Sequence, residues 1–210
     1  MKKIILIFAM LLLLIVLTNI VISQQDYQVY IGKGWNLISY TDDIDSHDFS
    51  PPITAAYWFD PLEKKYYQMG PNDEWEPHLE KYGEDFLFPM VNGEERYIFQ
   101  NHAIWVYSEE QMTAEIEEKY IKTLSYVKLY RGWNLLTVSK DMADIQIKDL
   151  PGNCEIEKVY FFNPQTQQWF KVEIEDDFEP NQVGVGVAIK VKDNCSFEKS
   201  KPSMPPEIPT

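Results

Sequence analysis

The chain has 210 residues, with 19 Lys or Arg against 33 Asp or Glu, and its formal net charge at pH 7 is −14. A surface this acidic repels phosphate backbones and anionic headgroups, which argues against nucleic acid or anionic lipid as a partner. The balance is typical of a soluble face in salty surroundings.

The first 23 residues have the pattern of a secretory signal peptide. Two lysines precede an unbroken apolar run at 4–17, and Ser23 offers a small residue at a cleavage point. A retained signal anchor is the alternative, but a membrane span needs about 20 apolar residues, and the stretch 4–22 includes Thr and Asn. In both cases we expect the rest of the chain to be extracellular or at the cell surface, with the membrane contacted only through residues 4–22.

Cys154 and Cys195 are the only cysteines in the sequence. An even number of cysteines in an exported chain predicts a disulfide, and two cysteines this far apart supply too few ligands for a metal site. In the chain-entropy view, closing such a loop stabilises a fold by roughly 3–4 kcal/mol. We therefore predict a disulfide between them.

One pattern occurs twice, as VYIGKGWNLISY near the start of the chain and KLYRGWNLLTVS near its middle. Each copy continues with an aromatic segment that ends in Asp-Pro or Asn-Pro, at 57–61 in the first copy and 160–164 in the second. A further match pairs residues 103–106 with 188–191. Because the matches keep the same order, they indicate an internal duplication.

Each copy has the strand and turn signals of a small β domain. Alternating apolar residues lead into a glycine, and Asp-Pro and Asn-Pro are typical of type I turns between aromatic strands. We predict a mainly β fold of two tandem homologous β-sandwich or barrel-like domains, with short helical turns capped by Asp43 and Asp144. The expected boundaries are 24–118 and 119–199, followed by a proline-rich mobile tail at 200–210.

The repeated motif supplies candidate anchors for the two domains: Trp35 and Asn36 in the first, Trp133 and Asn134 in the second. A Trp that buries about 150–250 Å² helps to close the core of a small domain, so we expect both tryptophans to be core residues. A sugar-stacking platform is the functional alternative.

The order of KGWNLIS, an aromatic Asp/Asn-Pro hairpin and AIWV resembles a duplicated β module of archaeal and bacterial cell-surface proteins of the surface-layer kind. The resemblance covers nearly the whole chain after residue 23, twice, although Lys190 stands where the first copy has Trp105. Cys154 and Cys195 are similar to a cysteine pair that some such modules carry. The resemblance implies surface-layer, adhesive or envelope roles and no catalytic residues.

The first copy is longer because of an insertion at 70–97 that combines aromatic and acidic residues. Long loops on a rigid scaffold often carry binding function, and aromatic faces beside carboxylates suit sugars. Trp75, Glu76 and Tyr82 are therefore the candidate ligand-binding residues. A loop that only covers the end of the domain is the structural alternative, and calcium held by its acids is a further one.

The sequence contains no Gly-x-Ser-x-Gly, His-Glu-x-x-His or P-loop motif, and paired acids are too common in an acidic chain to indicate a glycosidase. We expect no enzyme activity, no cofactor and no metal, with calcium as the open alternative. The predicted function is an exported structural or adhesive binding module that recognises a cell-envelope protein or glycan. A carbohydrate-binding module that uses the insertion is the alternative.

Overall fold

A computed structural model describes residues 27–41, 51–69, 90–91, 94–95, 101–121, 124, 127–150 and 152–197. This part of the chain is mainly β, with antiparallel sheets and only short helices, as predicted. No helix within it is long and apolar enough to cross a membrane. The predicted signal peptide, most of the insertion, the tail and Asp43 lie outside the described residues.

The strands follow one another in two similar series. The first is β1 (Tyr27–Ile31), β2 (Gly34–Ser39), β3 (Ile53–Asp60), β4 (Lys65–Met69), β5 (Met90–Val91), β6 (Glu94–Glu95), β7 (Ala103–Ser108) and β8 (Met112–Ile116), followed by helix α1 (Glu118–Ile121). The second is β9 (Val127–Leu129), β10 (Gly132–Thr137), β11 (Ile156–Asn163), β12 (Gln168–Val172), β13 (Gly186–Val191) and β14 (Cys195–Phe197). Short 3-10 helices span Ile147–Asp149 and Pro180–Gln182. We call β1–β8 the first half and β9–β14 the second half.

Both halves build a four-stranded antiparallel sheet with the same strand order. The order is β2-β7-β3-β4 in the first half and β10-β13-β11-β12 in the second. Each half adds a two-stranded sheet, β1 with β8 and β9 with β14, and β5 pairs with β6. The order agrees with that of the sequence matches, while the duplication itself and its domain boundaries stay predictions.

A pair of neighbouring strands in each half continues around a corner from the small sheet into the large one. Ile31 pairs with Met112 in the small sheet of the first half, and Gly34 pairs with Ser108 in the large one. The strands β9–β10 and β13–β14 make the same corner in the second half. Strands that switch sheets in this way connect the layers of a β-sandwich.

The predicted disulfide is confirmed. Cys154 is bonded to Cys195, with 5.2 Å between their Cα atoms and a sequence separation of 41. Cys195 begins β14, and Cys154 precedes β11, so the bond encloses β11, β12 and β13 in one covalent loop. Both cysteines pack against the main hydrophobic core.

The aromatic hairpins turn at Asp60 and Asn163, as the Asp-Pro and Asn-Pro pairs predict. Asp60 Oδ1 accepts hydrogen bonds from the second and third backbone N–H groups after it, at 2.8 and 2.9 Å. Asn163 Oδ1 does the same at 2.9 and 3.0 Å. Each turn ends in a residue with positive φ, Lys64 at 57° and Gln167 at 55°. Short polar side chains that bond their own turn explain Asp and Asn at this position.

One large hydrophobic core contains residues of both halves, including Trp58 of β3 and Phe161 of β11. These residues lie on one face of each four-stranded sheet. The opposite faces of the two sheets meet in a smaller cluster, in which the buried members are Leu37, Ala103, Leu135 and Ala188.

Backbone hydrogen bonds connect the two halves at the ends of their sheets. The Ser39 N–H donates to the carbonyl of Gly184 at 2.9 Å, and the Thr137 N–H donates to the carbonyl of Asn101 at 3.0 Å. Together with the shared core, these bonds place the two halves in direct contact. The predicted boundary at residue 118 stays a prediction.

Two expectations about individual residues are wrong. Trp133 is not a core residue, since 37% of it is exposed, and Trp35 is only half-buried. Successive strand residues point to opposite faces, and Asn36 rather than its neighbour Trp35 is on the face of the main core. Asp144 does not cap a helical turn: its φ is 62°, and the 3-10 helix that follows has Gln146 as its N-cap, without a side-chain hydrogen bond.

The last of the sequence matches is displaced by two residues. In the two ladders, Trp35 pairs with Tyr107 and Trp133 pairs with Lys190. The structural counterpart of Lys190 is therefore Tyr107 rather than Trp105. A slip of two residues keeps every side chain on the same face, so the alternation of apolar residues cannot reveal it.

Candidate functional site: an aromatic groove

Two pockets lined by aromatic side chains lie side by side where the two large sheets meet. Pocket A has a volume of about 350 Å³ and is lined by Phe59, Tyr66, Trp133, Leu135, Tyr160, Trp169 and Ala188. Pocket B has a volume of about 550 Å³ and is lined by Trp35, Tyr57, Tyr66, Trp105, Phe162 and Gln167. Tyr66 lines both pockets, and we call the two together the aromatic groove.

The alternation of strand residues explains why these side chains share a surface. In β3, Tyr57 and Phe59 point to the groove, whereas Trp58 between them is 1% exposed and belongs to the main core. In β11, Tyr160 and Phe162 line the groove in the same way. Each hairpin therefore presents one aromatic row to the core and a second row to the groove.

The pockets are built from equivalent positions of the two halves. Trp35 of pocket B corresponds to Trp133 of pocket A, because both follow the glycine of the repeated motif. Two residues after each Trp comes a Leu on the same face. The residue paired with it on the neighbouring strand is Trp105 of β7 in the first half and Ala188 of β13 in the second. The main difference between the pockets is therefore an indole in one and a methyl group in the other.

Trp105 occupies pocket B with ring contacts to both halves. Its ring centroid lies 6.3 Å from that of Trp35, 4.8 Å from that of Phe162 and 5.5 Å from that of Trp169, all edge-to-face. Such pairs contribute roughly 0.5–1.5 kcal/mol each beyond their buried area. Trp105 therefore helps to hold the two sheets together as well as to line the groove.

Pocket A keeps its aromatic side chains more accessible. The Trp133 ring contacts Tyr160 at a centroid distance of 5.7 Å. Ala188 fills little of the volume that the indole of Trp105 occupies in pocket B. The exposed fractions are 37% for Trp133, 42% for Trp169 and 54% for Tyr66. Pocket A is thus the part of the groove with the largest exposed aromatic faces.

The turn of each hairpin packs on the Gly-Trp motif of the other half. Gln167 Oε1 accepts a hydrogen bond from the Trp35 N–H at 2.9 Å, and its Nε2 donates to the Trp35 carbonyl at 3.0 Å. Gly34 has a φ of 101°, and a Cβ there would come 2.9 Å from Gln167 Oε1. In the equivalent place, the Lys64 side chain lies over Gly132. The glycine before each Trp is therefore required by its φ and, at Gly34, by the turn packed on it.

Asn36 and Asn134 hold the corner that precedes each Trp strand. Asn36 Oδ1 accepts from the Gly32 N–H at 2.7 Å, and its Nδ2 donates to the carbonyls of Gly32 and Gly34 at 2.8 and 2.9 Å. Asn134 makes the three corresponding bonds at 2.9, 2.8 and 3.1 Å. Both residues are buried, at 1% and 2% exposed. An amide that accepts and donates at once satisfies the corner's backbone groups, which explains its repetition.

Comparisons with protein-family models, curated proteins and solved structures found no match. The likeness to cell-surface modules therefore stays a resemblance of short motifs.

An ion pair lies beside pocket A. Lys190, which pairs with Trp133 across the ladder, places its Nζ 2.6 Å from Glu157 Oε2. The hydrogen bond from Lys190 lowers the pKa of the Glu157 carboxyl. At the corresponding place in the first half, Tyr107 packs edge-on against Trp35 at a centroid distance of 5.2 Å. One end of the groove therefore has an ion pair beside it where the other end has a Tyr ring.

The lining of the groove is suited to stacking and to hydrogen bonding from neutral groups. Among the residues that line the two pockets in the described structure there is no Asp, Glu, His, Lys or Arg. Indole N–H and phenol O–H groups supply donors beside flat apolar faces. This chemistry favours a ligand with apolar faces and exposed acceptor oxygens.

The candidate ligand-binding residues Trp75, Glu76 and Tyr82 lie outside the described residues, as do the acids of the calcium alternative. Within the described part, no group of three or more His, Cys, Asp or Glu side chains could hold a metal ion. Sequence reasoning did not identify Tyr66 and Trp169 as site residues. The available signal was the run of consecutive aromatic residues in each strand of both hairpins, which puts aromatic side chains on both faces of the sheet.

Proposed function

We propose that this chain is a non-catalytic binding module of an exported surface or envelope protein, and that the aromatic groove is its contact with a partner. The observation that carries the proposal is the pair of adjacent pockets, each lined by aromatic residues from both halves. Single exposed apolar residues are ordinary, whereas a contiguous apolar surface is typical of a binding site.

The exposed fractions of the groove side chains support this role. Trp133, Trp169 and Tyr66 keep between 37% and 54% of their surface open to solvent while their edges are fixed by neighbouring rings. Rigid Trp and Tyr side chains lose little conformational entropy on binding and dominate the energetics of many interfaces. A partner that covers these side chains buries apolar area without the entropy cost of ordering them.

Export is supported by two independent features. The residues at 1–23 have the pattern of a signal peptide. The disulfide between Cys154 and Cys195 is of a kind that persists in oxidising compartments. The two halves with equal strand order support an origin by duplication, as in the surface modules that the motifs resemble.

A carbohydrate-binding module is the second candidate. Exposed Trp faces such as those of Trp133 and Trp169 can stack on the C–H faces of sugar rings. The version of this candidate that rests on the sequence uses the insertion instead, with the aromatic faces of Trp75 and Tyr82 stacking on the sugar and Glu76 accepting its hydroxyl hydrogen bonds.

The test compares two neighbouring residues of β12. Trp169 lines pocket A and is 42% exposed, and Phe170 is 46% exposed but stacks on Phe161 at the opposite face. The full chain and its Trp169→Ala and Phe170→Ala variants are assayed for binding to isolated cell envelopes and to a glycan panel. We expect Trp169→Ala to weaken binding by about tenfold or more, the cost of losing one hot-spot residue, and Phe170→Ala to leave it unchanged.

Equal effects of the two substitutions, or none, would reject the groove as the contact. Envelope binding without glycan binding favours the first candidate. Saturable glycan binding that depends on Trp169 favours the second.

A further inference from the structure

The hydrogen-bonding groups in the groove are mainly donors. The indoles of Trp35, Trp105, Trp133 and Trp169 can only donate, and among the described residues no hydrogen bond uses their N–H groups. The one amide in the lining, Gln167, is already bonded: its oxygen accepts from Trp35, and its nitrogen donates to Trp35 and, at 2.7 Å, to the Pro164 carbonyl.

This donor excess distinguishes between ligand classes. A sugar hydroxyl donates as well as accepts, so a sugar site needs acceptors, and the side chains of the described lining offer only phenol oxygens and the second lone pair of the Gln167 oxygen. A proline-rich peptide in the polyproline II conformation presents carbonyl oxygens, few N–H groups and flat apolar rings. Grooves lined by aromatic side chains are the usual receptors of such peptides.

The chain itself contains such a segment. Residues 202–209 read PSMPPEIP, which contains two Pro-x-x-Pro pairs, Pro202 with Pro205 and Pro206 with Pro209. Polyproline II has three residues per turn and rises about 3.1 Å per residue, so each pair lies on one side of the helix, about 9 Å apart. Two adjacent pockets that share Tyr66 can receive successive apolar rings of such a ligand.

The chain path favours a segment supplied by another molecule. Phe197, the last residue of β14, pairs with Val127, the first residue of β9. Trp133 lies six residues after Val127 along β9 and β10. Because β14 is antiparallel to β9, it runs away from Trp133 as it ends. Four linking residues, 198–201, separate Phe197 from Pro202, so a segment of the same molecule would have to turn back within a short stretch of chain and pass the corner between β9 and β10 before it could reach Trp133. A segment from a second molecule has no such restriction.

We propose that the segment 202–209 of one molecule docks in the aromatic groove of a second molecule. This inference rests on the proposed function, because it names the ligand of the same groove. It makes the module a self-assembling one, in which the Pro-x-x-Pro pairs contact the exposed faces of Trp133 and Trp169.

The test uses the full chain with Pro202, Pro205, Pro206 and Pro209 changed to Ala, so that its own segment does not compete. A synthetic peptide of residues 200–210 is titrated into this protein by calorimetry, beside a peptide in which the same prolines are Ala. We expect saturable binding of the first peptide and at least about tenfold weaker binding of the second. Adding Trp169→Ala to the protein weakens binding by about tenfold, and adding Phe170→Ala leaves it unchanged.

Self-association is measured on the wild-type full chain and on the four-proline variant by sedimentation. We expect association that rises with protein concentration in the wild type and is lost in the variant. Added salt strengthens it, because both molecules carry a net charge of −14. If the peptide binds but the wild-type chain stays monomeric at concentrations above the Kd of the peptide, the segment docks within its own molecule. That result would overturn the proposal of a second molecule.

The two proposals fail separately. If the peptide does not bind but Trp169→Ala still weakens envelope or glycan binding, the proline-rich ligand is wrong and the groove remains the contact. If Trp169→Ala weakens the binding of no ligand, or no more than Phe170→Ala does, both proposals are wrong.

Discussion

Gln167 in the hairpin turn of one half binds the backbone of Trp35 in the other half through both ends of its amide. The oxygen accepts from the Trp35 N–H at 2.9 Å, and the nitrogen donates to the Trp35 carbonyl at 3.0 Å. The contact joins residues that are 132 positions apart in sequence. It fixes the start of β2, and with it the Trp35 side chain of pocket B, to the opposite half.

Replacing Gln167 by Ala removes two hydrogen bonds between the halves. We expect a loss of about 1–2 kcal/mol in the free energy of unfolding, since the site is exposed and water can replace part of the bonding. Urea unfolding measures it. Gln165→Ala is the matched control, because Gln165 is exposed in the same turn and contributes its backbone N–H to Asn163. Equal losses in the two variants would contradict the role of Gln167.

Asn36→Ala leaves three backbone groups of a buried corner without their partner. We expect a destabilisation of about 2–3 kcal/mol, in the range for a buried polar network that loses its central residue. Asn134→Ala is expected to cost a similar amount, because it makes the same three bonds. Thermal or urea unfolding provides the measurement, with the exposed Asn181→Ala as control. A loss no larger than that of the control would show that the corner holds without the amide.

Ala188→Trp tests the difference between the pockets. The equivalent position in the first half holds Trp105, whose ring packs among Trp35, Phe162 and Trp169. We expect a Trp at 188 to fill pocket A, to abolish binding there and to change the free energy of unfolding by less than about 3 kcal/mol. Ligand titration and urea unfolding are measured on the same protein. Unchanged affinity in a folded variant would mean that pocket A is not used.

Stability is expected to depend on pH through His102. This residue bridges the halves, because it pairs with Leu136 and its carbonyl accepts from Thr137 Oγ1 at 3.0 Å. Burial lowers its pKa to about 4 from an ordinary value of 6.5. The unfolded chain therefore binds the proton more tightly, and folding stability is fully present above pH 6.5 and falls as the pH drops toward 4.

The size of this effect follows from the shift in pKa. A shift of this size corresponds to about 3 kcal/mol between pH 7 and pH 4, at 1.36 kcal/mol per unit. His102→Gln has no group that titrates there. As the pH is lowered from 7 to 4, we expect the free energy of unfolding of the wild type to decrease by about 3 kcal/mol more than that of His102→Gln. Parallel stability curves for the two proteins would contradict the assignment.

Loss of the disulfide is expected to cost roughly 3–4 kcal/mol in the chain-entropy model, since it closes a loop with a sequence separation of 41. Cys154→Ser with Cys195→Ser is compared with the oxidised wild type by urea unfolding. Reduction of the wild type should reproduce the loss. A free-thiol titration of the unfolded, unreduced chain that finds two thiols would contradict the bond itself.

Much of the fold could be predicted from local sequence. Asp60 and Asn163 identify the hairpin turns because a short polar side chain bonds its own turn, whatever the rest of the chain does. Runs of two or three aromatic residues identify the strands on either side. The even number of cysteines gives the pair directly.

The parts that could not be predicted depend on the other half of the molecule. Alternation shows that Trp35 and Asn36 face opposite ways, but not which face is covered. Here the buried amide satisfies a corner, and the indole meets the other sheet. The match of Trp105 with Lys190 failed for a related reason: a two-residue slip preserves the faces, and only the ladder hydrogen bonds fix the register. The groove needs both halves in place before it exists.

The position of the disulfide also decides how the module responds to pulling. Only Ser196 and Phe197 lie between Cys195 and the residues that follow β14. Tension applied beyond Phe197 therefore reaches a covalent bond after breaking two rungs of the β9–β14 ladder, and it continues through Cys154. Strands β11, β12 and β13 lie inside the closed loop and off the covalent path of this load, although β13 is hydrogen-bonded to β10, which lies on that path. Because Trp169 and Ala188 are on these strands, their part of pocket A would keep its shape while the module is under mechanical strain.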